Sequence, residues 1–327
     1  MTSARRALLV AASALTVSAC SSGDDAPKRV VIPPGSPFRV AADSLASRGI
    51  ISFPRLFAWY ASMSGRDRGI KAGTYQFSDS QSWGEIIDAL ADGRGLFHSV
   101  TIPEGWNLRK IVPQLAKALE VPEESVTVAV RDTALLRRLD VPTPTLEGYL
   151  FPDTYQFAPG TTARAAVETM VARFERIWKP EWTTSGQAMA MSRHDLVTLA
   201  AIIETEARKA EERPVISAVY HNRLKIGMRL QADPTVQYAL GKHVDRVLFK
   251  DLKVDSKYNT YRYAGLPPGP IASPGASSMS AAANPAKVPY LYFVAHPDGH
   301  HEFRRTFREH AEAIRQVRGQ QRSSARR

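Results

Sequence analysis

The stretch that decides the fold is Ser192-Arg-His-Asp-Leu-Val-Thr-Leu-Ala-Ala-Ile-Ile-Glu-Thr-Glu206. Ser192 and Asp195 have the spacing of a capping box, so a helix starts there. From Leu196 to Ile203 it carries apolar residues on most sides, which predicts a helix inside a core rather than on a surface. Two glutamates at the end of such a helix need a physical reason. At ~100° per residue, Glu206 falls within about 60° of Leu199, Ile202 and Ile203. Glu204 shares its face with Val197, Ala200 and Ala201, with Arg193 and Arg208 on its flanks. Burial on the bulkier side raises the pKa of Glu206 and keeps it protonated near neutrality, while the arginines favour the charged form of Glu204. A carboxylic acid held neutral suits a glycosidase-type general acid. The same spacing also fits a Glu206 that has simply reached the solvated end of its helix.

Downstream, Pro214 opens a second helix, Val215 to Leu224. Lys225-Ile-Gly-Met-Arg-Leu-Gln-Ala-Asp233 then reads as a turn and a short strand, with a helix start at Asp233-Pro234. Asp233 is either that helix's N-cap or a site carboxylate. Tyr258-Asn-Thr-Tyr261 and the Pro/Gly-rich run Gly265–Gly275 form a long rigid loop of the kind that lines sites. Ser277–Ala283 is a short helix. Tyr290–Val294 and Glu302–Phe307 form a hairpin around Asp298-Gly299. Upstream, residues 108–190 are mainly helical, broken at Pro142 and Pro144, and Thr183–Ala188 reads as a loop. Glu147-Gly-Tyr-Leu-Phe-Pro-Asp-Thr-Tyr155 is an aromatic-rich loop with two carboxylates.

Nearer the start, three strand-turn-helix units share one internal spacing. Ile32-Pro-Pro-Gly35 leads to a helix through Leu45, Phe77 to one with Ile86 and Leu90, and Ile102-Pro-Glu-Gly105 to one through Leu115. Gly49 and Gly93 act as helix stops. Units of this kind resemble LysM-like glycan-binding modules.

The whole chain has 327 residues with 44% hydrophobic and 23% charged, which fits about two globular domains. Arg5 and Arg6 precede an apolar run from Ala7 to Ala19, too short to span a bilayer comfortably, and Val17-Ser-Ala-Cys20 resembles a bacterial lipobox. Cys20, the only cysteine, then becomes a lipidated N-terminus anchoring the protein to a membrane without spanning it. An exported chain is a poor nucleic-acid binder. Its net charge of +11, less the two signal arginines, points to an anionic envelope polymer. His296, His300 and His301 with Glu302 lack metal-ligand spacing, so neither a metal nor an organic cofactor is expected.

Several segments together resemble one family: Leu199–Glu206, Glu212-Arg213, Asn222–Val236, Tyr258–Tyr261, Gly265–Gly275 and Pro289–Val294, with Lys71–Tyr75, Pro103–Gly105 and Glu147–Tyr155. They are similar to the YceG-like (MltG-type) endolytic murein transglycosylases. The resemblance implies an α+β fold: small N-terminal LysM-like modules, then a mixed, helix-rich catalytic domain with a C-terminal β-hairpin. It implies Glu206 as the catalytic residue, where the helix-face argument independently arrives. The expected layout is a signal peptide over 1–20, a tether over 21–29, a LysM-like domain over 30–100, a catalytic domain over 101–313 and a basic disordered tail over 314–327. The family usually carries an N-terminal transmembrane helix, which this chain replaces with its lipobox-like signal.

The implied reaction is lytic cleavage of the MurNAc-β-1,4-GlcNAc bond inside a nascent glycan strand, leaving a 1,6-anhydroMurNAc end and terminating elongation. Candidates to hold sugar or orient Glu206 are Asn222, Gln231, Asp233, Tyr258, Asn259 and Tyr261, then Glu147, Glu204 and Asp153. Partners implied are peptidoglycan strands, a membrane on its periplasmic or outer face, and peptidoglycan synthases. Rival readings are a hydrolytic muramidase using Asp233 or Glu204 as second carboxylate, and a non-enzymatic glycan-binding lipoprotein. An aminodeoxychorismate lyase, an older label for such sequences, would need a cytoplasmic pyridoxal enzyme, against the export signal.

Overall fold

A computed structural model describes residues 27–78, 80–93, 96–242 and 247–324. The signal segment, Cys20 and most of the expected tether lie outside the described residues. The chain divides into two compact units, Met1–Gly95 and Leu96–Arg327, with the division a few residues before the expected one.

The first unit runs β1 (Lys28–Ile32), α1 (Phe38–Ser47), α2 (Pro54–Met63), β2 (Gly73–Phe77) and α3 (Trp83–Asp92). Strand begins at Lys28, inside the stretch expected to be tether. β1 alternates, with Val30 and Ile32 buried and Val31 facing out. It pairs antiparallel with β2, Val30 opposite Tyr75 and Ile32 opposite Gly73. Phe38, Phe57 and Trp83 pack as an aromatic core, each neighbouring pair 5.6 Å apart. Gly49 and Gly93 take left-handed conformations just after α1 and α3, as their role of helix stop requires. Ser82 and Glu85 close a capping box at the start of α3.

The second unit opens with β3 (Leu96–Thr101), α4 (Leu108–Leu119), α5 (Glu123–Ala129) and α6 (Thr133–Arg138). It continues through β4 (Thr154–Phe157), α7 (Ala163–Ile177), α8 (Pro180–Ala188) and α9 (Arg193–Glu206), then α10 (Arg213–Lys225), α11 (Asp233–Leu240) and α12 (Ala276–Ala283). A hairpin of β5 (Tyr292–Ala295) and β6 (His301–Arg304) and the helix α13 (Phe307–Ser324) finish it. All three strand-turn-helix units are formed, two in the first unit and β3–α4 in the second. β3 pairs antiparallel with β4, Val100 opposite Tyr155.

α9 is the axis of this unit. Every residue from Leu196 to Ile203 is buried, and each large apolar side chain so placed contributes about 1.5–3 kcal/mol. Its start carries the capping box in full: Ser192 Oγ accepts from Asp195 N at 3.1 Å, and Asp195 Oδ2 from Ser192 N at 2.8 Å. α8 comes close to it at Gly186, where a Cβ would lie 2.9 Å from Leu196 Cδ1. α12 and α10 cover its other sides, and the small residues Ala281, Ala282 and Ala283 are buried there.

Four local expectations are corrected. Thr183–Ala188 belongs to α8 instead of a loop; Pro180 at its first turn, where the missing N–H is harmless, starts that helix. Residues 228–232 form no strand, because their backbone is held by the 258–261 loop instead: Gln231 N donates to Thr260 O at 3.2 Å and Ala232 N to Thr260 Oγ1 at 3.0 Å. Asp233 is not an N-cap; Ala232 occupies that position and Asp233 lies in the first turn. The basic stretch from 314 is not a frayed tail through its length, since α13 continues to Ser324 with Ala313 and Val317 buried on one face. No helix among the described residues is long and apolar enough to cross a membrane.

Candidate active site

Glu206 is the last residue of α9, where the helix leaves the core and meets a cleft of about 520 Å3. The cleft is walled by Arg223 from α10, Gln231, Asp233 and Tyr261 from the adjoining segments, and Tyr292, Phe307 and His310 from the C-terminal hairpin and α13. The sequence thus places a helix with eight consecutive buried residues, Leu196–Ile203, directly behind the carboxyl group. That rigid support fixes the carboxyl's position within the cleft.

Burial first, and the nearby Asp233 carboxylate second, raise the Glu206 pKa, which stands at about 7 instead of 4.5. Two groups oppose this rise. The Tyr220 hydroxyl donates to Oε1 across 3.2 Å, and the Arg223 guanidinium acts through its charge. The outcome is a carboxyl poised near neutral pH, the balance an acid that must later act as base requires.

The other groups are held firmly. Tyr261 donates its hydroxyl to Asp233 Oδ1 at 2.6 Å. Burial and that bond keep the Tyr261 phenol protonated, well above its ordinary value. Arg223, itself buried, donates through Nε to Leu291 O at 2.6 Å and through Nη1 to Leu230 O at 2.5 Å. It also lies over the Tyr292 ring, 5.4 Å from the centroid. Gln231 has a left-handed backbone with φ of 50°, unusual for a non-glycine residue, at the cleft wall. Such a conformation persists only where surrounding bonds enforce it, here the Thr260 carbonyl.

Of the residues expected at the site, Glu206, Gln231, Asp233 and Tyr261 line one cleft. The rest go elsewhere. Asn222 Nδ2 donates to Val288 O and Tyr290 O, at 2.8 and 2.9 Å, tying α10 to the chain before β5. Asn259 is fully buried; its Nδ2 donates to Leu252 O and Val254 O and its Oδ1 accepts from Tyr261 N at 3.0 Å. It therefore shapes the loop that carries Tyr261. Asp153 pairs with Arg173 at 2.7 Å.

Glu204 does not lie between Arg193 and Arg208 in the way its helix face suggested. Arg193 turns to the Leu139 carbonyl and Arg208 lies beside Gly299. Arg213, at the start of α10, takes their place: its Nη2 meets Glu204 Oε1 at 3.0 Å, and Gly275 N donates to Oε2 at 2.9 Å. Glu204 thereby locks the end of α9 to the starts of α10 and α12, with its side chain only 6% exposed. Glu104 rests against Gly275, where any Cβ would collide with its carboxyl, and burial beside Glu204 raises its pKa.

Glu147 belongs to a second buried cluster. It is 4% exposed, accepts from Leu108 N at 3.0 Å at the start of α4, and accepts from Tyr238 OH at 3.2 Å. Tyr258 packs on Tyr238 at 4.8 Å between ring centroids. Burial lifts the Glu147 pKa to about 7, against the lowering effect of those hydrogen bonds and of Arg109.

The sequence reading missed Tyr220, Arg213 and the cleft residues of the C-terminal elements. Tyr220 and Arg223 are one turn apart on α10, so their shared face was a readable signal. Phe307 and His310 had no local signal, because only the return of α13 brings them to the cleft. Among the described residues no cluster of His, Cys, Asp and Glu could hold a metal ion. His301 is committed to Glu212, with Nδ1 to Oε2 at 2.6 Å, and His296 to Glu302 at 3.0 Å.

Comparison with known proteins agrees in both sequence and fold. A profile described as the YceG-like family matches residues 30–316. The chain is 36% identical over 301 residues to an endolytic murein transglycosylase of Bacillus subtilis (strain 168), covering 86% of this chain and 82% of that protein. It is 29% identical over 297 residues to one from Streptococcus pneumoniae serotype 2, covering 81% of this chain and 54% of that one. The crystal structure of a yceG-like protein from Listeria monocytogenes matches with a TM-score of 0.64 at 33% identity, over 88% of this chain and 98% of the other.

Proposed function

The chain belongs to the YceG-like family and is an endolytic peptidoglycan lytic transglycosylase, a lyase; within that activity we propose that Glu206 is the acid–base group. The observation that carries the assignment is its pKa of about 7 at the wall of an open cleft. Protonated Glu206 donates to the glycosidic oxygen between MurNAc and GlcNAc as the bond to C1 breaks. The sugar passes through an oxocarbenium-like state. The Glu206 carboxylate, now stabilised by the Tyr220 hydroxyl and the Arg223 charge, removes the proton from the MurNAc 6-hydroxyl as that oxygen bonds to C1. A 1,6-anhydro ring results, and Glu206 is protonated again for the next cycle. One carboxyl group serves both steps because the nucleophile belongs to the substrate.

Asp233, held by Tyr261, keeps the Glu206 proton in place through its charge. Gln231 and Tyr261 present amide and hydroxyl groups to the cleft for sugar hydroxyls. The first unit, with its paired β1 and β2 enclosing two helices, supplies a further LysM-like glycan contact. The enzyme works in the cell envelope, held to a membrane through lipid on Cys20, next to the synthases whose strands it terminates.

The test is to incubate residues 21–327, and the same protein carrying Glu206→Gln, with uncrosslinked glycan strands and to weigh the fragments by mass spectrometry. Internal fragments ending in 1,6-anhydroMurNAc, at least a hundredfold fewer with Glu206→Gln, are expected. Reducing ends would replace the mechanism with hydrolysis, for which Asp233 is the available second carboxylate because Glu204 is paired with Arg213.

A further inference from the structure

Thr205 and Pro234, the chain neighbours of Glu206 and Asp233, face a different depression. Consecutive Cα atoms are ~3.8 Å apart, so the Glu206 cleft and this second groove share a wall made by the end of α9 and the start of α11. The second groove has a volume of about 540 Å3. Among the described residues that line it, the charged ones are Arg109, Lys110 and Lys242, and none is a carboxylate. The Glu206 cleft is different, with two carboxyl groups facing it.

The three cations differ in how they are held. Lys110 and Lys242 are exposed and form no ion pair among the described residues. Arg109 is fixed: its Nη2 donates to Tyr238 O at 2.9 Å, and its guanidinium lies 4.9 Å from the centre of the Tyr238 ring. That contact joins the start of α4 to the end of α11, where Gly241 turns left-handed with φ of 73°. Its charge also reaches Glu147. The result is one anchored cation and two exposed ones around the groove.

Resting on the assignment of the Glu206 cleft as the cleavage site, we propose that this groove is an anion subsite that receives a stem-peptide carboxylate of the strand being cut. A strand offers two kinds of anion near its sugars: carboxylates of the peptides on MurNAc, and the pyrophosphate of a lipid-linked end. Peptide carboxylates recur at every disaccharide, so a subsite beside an endolytic centre meets one at each position along the strand. The pyrophosphate occurs once. Flexible ammonium groups also suit a carboxylate on a mobile peptide, where no fixed bidentate geometry is available.

The test reads binding and cleavage separately. Labelled uncrosslinked strands are prepared with free peptide carboxylates, with those carboxylates amidated, and with the terminal pyrophosphate kept or removed. Fluorescence anisotropy measures their affinity for the Glu206→Gln protein, with and without Lys110→Gln and Lys242→Gln together. Both lysines are exposed, so their replacement leaves the melting temperature unchanged. Amidation should weaken binding about tenfold, and the paired lysine variants should bind free and amidated strands with the same reduced affinity. Equal affinity for free and amidated strands, or full discrimination without the two lysines, overturns the proposal. Sensitivity to the pyrophosphate instead of the peptide overturns the peptide source. Cleavage of the same strands by the unmodified protein is followed in parallel: absence of anhydro products there counts against the Glu206 mechanism and leaves the binding result readable.

Discussion

The Tyr220 hydroxyl on α10 lies 3.2 Å from Glu206 Oε1 at the end of α9, the one side-chain hydrogen bond recorded for that carboxyl among the described residues. It favours the charged form and so moderates the rise caused by burial. Tyr220→Phe keeps the ring and removes the donor. The Glu206 pKa then climbs further, and the alkaline limb of the kcat/KM profile moves to higher pH. The carboxylate formed after proton donation also loses about 1.4 kcal/mol of stabilisation, so kcat at neutral pH falls about tenfold. A pH–rate series on uncrosslinked strands checks both; an unmoved alkaline limb would count against Glu206 as the titrating group.

Asp233 acts in the opposite sense, because its negative charge raises the Glu206 pKa. Asp233→Asn retains an oxygen to accept the Tyr261 hydroxyl. Glu206 should then lose its proton at lower pH. The alkaline limb moves down, and activity at pH 8 falls about tenfold while activity at pH 5.5 changes little. Opposite displacements of the limb in Tyr220→Phe and Asp233→Asn form the decisive pattern.

Glu147 makes stability depend on pH. Its pKa is 4.5 in the ordinary state and about 7 when folded. The contribution of the protonated folded form is therefore fully present below about pH 4.5 and is lost as pH rises through 7. For one such group the change is about 3 kcal/mol. Glu147→Gln should flatten the denaturant-midpoint curve between pH 4.5 and 8, and only in part, since Glu206 titrates in the same direction. An unaltered slope in urea melts would mean that the buried carboxyl is not the source.

Gly148 has φ of 81°, and a Cβ there would lie 2.4 Å from Pro270 Cβ. Gly148→Ala meets both a left-handed backbone and an overlap with a rigid proline loop. A loss of about 2–4 kcal/mol is expected, seen as a lowered melting temperature. Gly160→Ala makes a useful contrast: its φ is 78° but no atom lies within 4 Å, so only the backbone strain remains.

What the sequence revealed and what it hid have physical causes. Local signals sufficed for α9, whose capping box and all-round apolar surface needed no knowledge of its neighbours. The same holds for Glu206, because angular position on a helix follows from counting residues. Glu204 shows the limit. Its face was read correctly as different from that of Glu206, yet its partner is Arg213, nine residues on, beyond the break between two helices. Asn222 and Asn259 show another limit. A polar residue within a motif can serve a loop's carbonyls as readily as a substrate, and only the fold distinguishes the two. Residues 228–232 failed for a related reason: Thr260 holds Gln231 and Ala232, Gln231 turns left-handed, and no strand among the described residues pairs with them.

Phe307 and His310 sit at the start of α13, yet they wall the cleft of a glutamate about a hundred residues earlier. A chain made from its N-terminus outward therefore presents Glu206 long before its cleft exists. The Glu206 cleft is completed only by α13, and a chain that stops before α13 has a carboxyl with one wall missing. Purification handles and fusions placed directly after α13 bear on the wall of the cleft proposed for catalysis, so activity measured with such an appendage should be compared with the same protein after its removal.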